Sequence, residues 1–156
     1  MNDITLDALR SRSGLDVISG FIAGELPPPG VVELLGIRMA AAELGRVVMT
    51  LTPDRRHNNP MATMHGGVLA TLLDSVMACA VHTTLPAGRG YTTLEIKVNY
   101  LRAVTAASGE LVAEGNVVQS GRRTAVAEGR VTDAAGKVCA TASTTCLVFD
   151  VAEPQP

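Results

Sequence analysis

With 156 residues, the chain is long enough for one domain that buries about two thirds of the surface its unfolded form exposes. Hydrophobic residues at 47% against 18% charged predict a packed globule and exclude a disordered chain; with only 3% aromatic residues, the core must rest on Val, Leu, Ile, Ala and Met. A net charge of -2 argues against a nucleic-acid surface, so the pairs Arg55–Arg56 and Arg122–Arg123 suit at most one small phosphorylated ligand.

The opening residues are polar and lack a basic flank followed by an apolar run. Cys79, Cys139 and Cys146 are odd in number and lack CxxC spacing, so reduced thiols in a cytoplasmic protein are expected. Residues 1–30 read as an N-terminal helical segment closed by a Pro-rich turn. Leu15, Ile18 and Ile22 form one apolar row, Ser13 is placed to cap a second helix, and Pro27-Pro28-Pro29-Gly30 stops the region. The main domain is expected over 31–150, with 151–156 as a frayed tail.

Two strands are expected between 34 and 52. Leu35, Ile37 and Met39 alternate, Val47 to Leu51 is β-rich, and Glu43-Leu44-Gly45 turns between them. A polar loop from Pro53 to Pro60 precedes a long helix over roughly 66–84. The rest reads as strand. Leu94, Ile96, Val98 and Tyr100 alternate with Thr93, Glu95, Lys97 and Asn99; residues 109–119 and 123–133 form a hairpin; a last strand covers 138–149. The layout is α+β, a curved antiparallel sheet around one long apolar helix. The stretch from Gly66 to Leu85 contains Asp74 and His82, which makes it a buried helix rather than a membrane span.

Asp74 is the one charged residue between Gly66 and Val81, and no ionic partner lies near it on the helix. A carboxylate there is costly unless it is hydrogen-bonded or functional. A structural Asp and a general base remain equally open on composition. His65-Gly66-Gly67 opens the same helix, where backbone N–H groups lack intrahelical partners and the dipole end is positive. Glycines there let a ligand oxygen approach, as in an oxyanion hole; the alternative is a tight loop-to-helix turn. Gly66 and Asp74 lie eight residues apart, roughly 12 Å along the axis. One helix therefore cannot hold a carbonyl at Gly66 and attack it with Asp74. Either the two are unrelated, or a second copy brings its Asp74 to this Gly66.

The run from His57-Asn58-Asn59-Pro60 through His65-Gly66-Gly67 to Asp74, continued by Tyr91 to Arg102, resembles the hotdog-fold thioesterases of the phenylacetate-degradation (PaaI-like) group. The resemblance covers the chain from Leu26 to Phe149. It implies a hotdog fold and an acyl-CoA thioesterase working as a homo-oligomer, an obligatory dimer with a tetramer expected. It also implies that Asp74 is general base or nucleophile, that the Gly66 N–H polarises the thioester carbonyl, and that Asn59 holds water or substrate beside it. Thr93 would help to place water, His65 would shape the loop more than take protons, and Gly67, Arg102, Arg122 and Arg123 would meet the coenzyme A half. Two positions depart from the pattern: Ala62 stands where Gly is frequent, and Ala78 lacks a hydroxyl that some relatives place one turn after the acid.

The first expected function is hydrolysis of an acyl- or aryl-CoA to a carboxylic acid and free coenzyme A. The histidines at 57, 65 and 82 are scattered, so no metal site is expected; no further cofactor is expected either, since coenzyme A is part of the substrate. No Gly-x-Ser-x-Gly nucleophile elbow occurs. The alternatives are a non-catalytic acyl-CoA-binding regulatory protein and a hydratase or dehydratase on the same fold; the first would lack the carboxylate, the second would pair a His with it.

Overall fold

A computed structural model describes residues 3–151, so the residues beyond 151 assigned to a tail lie outside the described residues. Helices α1 (Asp3–Ser11) and α2 (Gly14–Ala23) are split at Ser13, whose hydroxyl accepts from the Asp16 N–H as an N-cap. Helix α2 ends on Gly24 at φ 74°, the left-handed conformation that glycine adopts without a Cβ clash. Its inward face is Gly14, Val17, Ile18 and Phe21, whereas Ile22 faces out. The expected apolar row is therefore rotated by one position.

The Pro-Gly stop also starts something. Pro29, with φ fixed near the helical range, precedes a short helix α3 (Gly30–Leu35) that Gly36 ends in the left-handed conformation. Leu35 thus belongs to a helix, and strand β1 (Ile37–Glu43) begins two residues later. Strand β2 (Arg46–Leu51), a short 3₁₀ turn (Arg55–His57), helix α4 (Gly66–Thr83) and strands β3 (Arg89–Tyr100), β4 (Leu111–Ser120), β5 (Thr124–Thr132) and β6 (Val138–Asp150) follow, close to the expected bounds.

The six strands form one antiparallel sheet in the order β1-β2-β4-β5-β6-β3. Helix α4 lies across one face and buries Leu72, Leu73, Val76 and Met77 completely. By length and composition α4 could cross a membrane, yet most of it is buried by the sheet. Two glycines allow its close approach. Gly115 and Gly129 pair across β4 and β5; a Cβ would stand 2.5 Å from the Val76 carbonyl at the first and 2.8 Å from Met77 Cγ at the second. At the far end of α4, a Cβ on Gly14 would sit 1.7 Å from the His82 carbonyl oxygen, so α2 packs backbone to backbone there.

Strand β3 departs from simple alternation. A bulge between Thr93 and Glu95 takes Leu94 out of phase. Thr93, Ile96 and Val98 face inward; Leu94 and Tyr100 are exposed. The bulge aims Thr93 at α4.

Candidate active site

Asp74 sits on the half-buried side of α4, and its Oδ1 accepts a 2.8 Å hydrogen bond from the Thr93 hydroxyl. The surrounding groups stay neutral. Burial pushes the Cys79 thiol up to about 12, and Asp74's negative charge adds to that. Burial also raises the Cys146 thiol and holds the Tyr91 phenol well above its usual range. The raised Cys79 and Cys146 thiols therefore do not compete with Asp74 as nucleophiles.

The tip of α4 is built from backbone. His65 is the N-cap, its Nδ1 accepting from the Gly67 N–H at 2.9 Å, and the His65 carbonyl accepts from Val68. An accepting Nδ1 leaves the proton on Nε2. The Gly67 amide, expected to face the ligand, is therefore occupied by the imidazole. The Gly66 N–H has no hydrogen-bond partner among the described residues. Its carbonyl is held from the other side by the Tyr100 hydroxyl at 2.8 Å, and a Cβ on Gly66 would meet the Tyr100 ring at 3.2 Å. Motif reading missed Tyr100 as the residue positioning Gly66; its inclusion in an alternating strand had hidden it.

Asn59 holds the loop before α4. Its side-chain oxygen accepts from the Met61 and Thr63 N–H groups, and its amide donates to the Thr63 hydroxyl at 2.9 Å. One amide hydrogen is left for a ligand. Inside this loop Ala62 adopts φ 59°, the single non-glycine residue at positive φ among the described residues. The departure noted at Ala62 is thus a position whose backbone favours glycine. Buried His57 anchors the loop at its start: Nδ1 accepts from the Asp54 N–H, and Nε2 lies 3.0 Å from the Leu35 carbonyl of α3, to which it donates.

The arginines expected at coenzyme A do not gather in one chain. Arg102 lines a surface pocket of about 330 Å³ with Gly66, Tyr100 and Met64 at the start of α4. Arg122 and Arg123 are exposed on the β4–β5 hairpin, and Arg122 lies near Thr84 and Leu85 at the opposite end. The Arg122 carbonyl accepts from Arg89. Among the described residues no three His, Cys, Asp or Glu side chains gather as metal ligands.

Residues 61–140 match the model of the Thioesterase superfamily, just over half of the chain, from the loop before α4 into β6. The chain belongs to the Thioesterase superfamily and is a thioester hydrolase of the hotdog fold. It is similar to the human acyl-coenzyme A thioesterase 13, at 29% identity over 67% of this chain and 74% of that protein. Among solved structures it resembles a phenylacetic acid degradation-related protein of Ralstonia eutropha, with TM-score 0.76, 30% identity and coverage of 83% of this chain and 98% of the other. It also resembles a Streptococcus mutans protein solved with acetyl CoA bound, with TM-score 0.67, 29% identity and coverage of 73% and 89%.

Proposed function

We propose that the chain hydrolyses an acyl- or aryl-CoA thioester to a carboxylic acid and free coenzyme A, at a site shared by two copies. One observation carries the reading: Asp74, oriented by Thr93, and the unspent Gly66 amide lie eight residues apart on one helix. Eight residues is roughly 12 Å, so the two serve one thioester only if a second α4 runs antiparallel beside the first. Two features support that arrangement. Strand β3 is a twelve-residue edge strand with Leu94 and Tyr100 exposed, a surface suited to pairing with another copy. Gly67, Ala70, Thr71 and Asp74, none of them fully buried, form a stripe of mostly small side chains that would let a second helix approach closely.

In this reading the Gly66 N–H of one copy polarises the thioester carbonyl and stabilises the charge that develops on its oxygen. Asp74 of the other takes a proton from water as the water attacks and passes it to the sulfur as the C–S bond breaks. Alternatively, the Asp74 carboxylate attacks the carbonyl and expels the thiolate; water then hydrolyses the mixed anhydride, restoring Asp74 and releasing the proton that the thiolate takes up. Thr93 fixes the carboxylate's orientation, and the free amide hydrogen of Asn59 reaches toward the attacking water. His65 acts by capping the helix tip rather than by moving protons. Arg102 suits the phosphates of coenzyme A at the Gly66 end, and Arg122 or Arg123 would join it only from the partner copy. No cofactor beyond the substrate's own coenzyme A is required. The free, buried thiols of Cys79, Cys139 and Cys146 support a reducing cytoplasmic setting.

A screen of short, medium, long and aromatic acyl-CoAs with thiol detection tests this. At least one is hydrolysed, and Asp74→Asn lowers kcat by a factor on the order of 10² or more, the size expected of a positioned base. Tight binding of acyl-CoA without turnover by the wild type would favour the regulatory alternative instead.

A further inference from the structure

A second cavity, of about 380 Å³, lies between the N-terminal helices and the main body. Its walls are almost wholly carbon: Leu6 and Leu9 of α1, Phe21 of α2, Tyr91 of β3 and Phe149 of β6. The chain has four Phe and Tyr residues, and three of them line this one space. The space is partly open to solvent, with Phe149 exposed at its rim, and three rigid rings frame it.

One wall residue is out of character. His82 is 5% exposed and lines the cavity, and its ring makes no hydrogen bond among the described residues; its neighbour is the Tyr91 ring at 5.3 Å between centroids. The His82 ring nitrogens are not sealed off, so they are open to whatever fills the cavity, water included.

The position of the cavity names the occupant. Asp74 itself is not a wall residue, but Cys79 follows it on α4, and Tyr91 stands two residues before Thr93, which holds Asp74, on the same side of β3, so the cavity lies next to the proposed hydrolytic site. From Asp74 to Cys79 is five residues and to His82 eight, about 7 and 12 Å along the helix axis. We propose that the acyl half of the substrate extends from Asp74 into this chamber, and that His82 at its far end selects acyl chains ending in an uncharged, hydrogen-bonding oxygen over plain hydrocarbon chains of the same length. This rests on the thioesterase reading. A neutral imidazole presents one donor and one acceptor, so a hydroxyl satisfies either tautomer, whereas a terminal carboxylate would be buried without a counter-charge.

The test compares kcat/KM of the full-length wild type on hexanoyl-, octanoyl- and decanoyl-CoA with their ω-hydroxy counterparts. At the best-fitting length the hydroxylated ester is favoured about tenfold, the worth of one hydrogen bond to a buried partner. In His82→Phe that ratio falls to one or below, and His82→Gln, which keeps a donor and an acceptor, retains part of it. Because a ratio is read, partial loss of folded protein does not imitate the effect. A wild type with no preference at any length, or a preference untouched in His82→Phe, overturns the proposal. If no CoA ester is hydrolysed, the thioesterase reading fails by itself. Equilibrium binding of 8-hydroxyoctanoate against octanoate then decides the chamber: tighter binding of the hydroxy acid that His82→Phe abolishes supports it, and equal binding overturns it.

Discussion

The two ends of α4 solve different problems with different materials. At the N-terminal tip almost every contact is with backbone: His65 caps an amide, Tyr100 holds a carbonyl, and Asn59 binds two amides of its own loop. Beyond Asp74 the chamber beside α4 is lined by side chains drawn from α1, α2, β3 and β6. A backbone-built site depends on a few residue types at fixed spacing, so it tolerates little change in sequence. A side-chain chamber can be re-lined without disturbing the fold. The tip suits the invariant half of a thioester and the chamber its variable half.

The largest expected effect asks whether the two ends cooperate between copies. Asp74→Asn removes the acid, and Gly66→Val forces a branched side chain against Tyr100 at the tip; each lowers activity by a factor on the order of 10² or more. If each site takes Asp74 from one copy and Gly66 from the other, a mixed dimer of the two variants regains one intact site of two. Unfolding and refolding the variants together should then restore about a quarter of wild-type activity, since about half of randomly formed dimers are mixed. Activity that stays at the sum of the separate variants would place the whole site within one chain.

The chamber end should show itself in pH dependence. Burial lowers the His82 imidazole from its ordinary value of 6.5 to about 4. The unfolded chain then takes up a proton at His82 below pH 6.5 that the folded chain refuses until about pH 4. Its stabilising contribution is fully present above pH 6.5 and is lost as pH falls through that window, at most about 3 kcal/mol. Urea unfolding of the wild type between pH 7 and 4 should show this loss, and His82→Phe should flatten it. A wild-type profile identical to that of His82→Phe would mean that the ring is solvated and the chamber open.

Between these two sits Thr93, which joins the sheet to the acid. Thr93→Val keeps the shape and removes the hydroxyl that donates to Asp74. A hydrogen bond to a charged group contributes about 1.5–3 kcal/mol, so kcat should fall by about 10- to 150-fold with KM little changed. Combined with Asp74→Asn it should add almost nothing, because the two act as one unit. Additive losses would separate Thr93 from the acid.

How far each end could be read from sequence follows the same division. His65-Gly66-Gly67 and a lone Asp74 on an apolar helix speak within one element, where helical spacing converts directly into distance. The hairpin joining residues 109–119 to 123–133 and the Ser13 cap were equally local. The chamber was invisible because its lining comes from residues 5 to 151 and depends on how α1 and α2 lie over the body. His82 read as one more residue of a buried helix. The β3 bulge shifted Leu94 outward with no local signal in a stretch that alternates well. Pro29-Gly30 was taken only as a stop, although proline before a helix is as much a start. Both glycines of the tip were counted as open amides, and only the His65 ring orientation shows that one of them is closed.

The smallest expected effect concerns the loop that carries Asn59. Ala62 is held at φ 59° because Asn59 captures the amides on either side of it, those of Met61 and Thr63, and the Ala62 N–H itself donates to the Asn59 carbonyl. A left-handed alanine costs about 1–2 kcal/mol relative to its preferred conformation, a strain that glycine does not carry. Glycine in turn loses more freedom on folding, about 0.5–1 kcal/mol, so Ala62→Gly should stabilise by the remainder, about 0.5–1 kcal/mol. A rise in the urea midpoint with unchanged slope is the expected reading. Activity should be preserved, since the hydrogen bonds that fix the loop use backbone groups and Asn59, none of which the substitution removes. Destabilisation by Ala62→Gly would mean that the loop relaxes out of this conformation in solution, and the Asn59 amide would then be free to swing toward the thioester rather than bind its own turn.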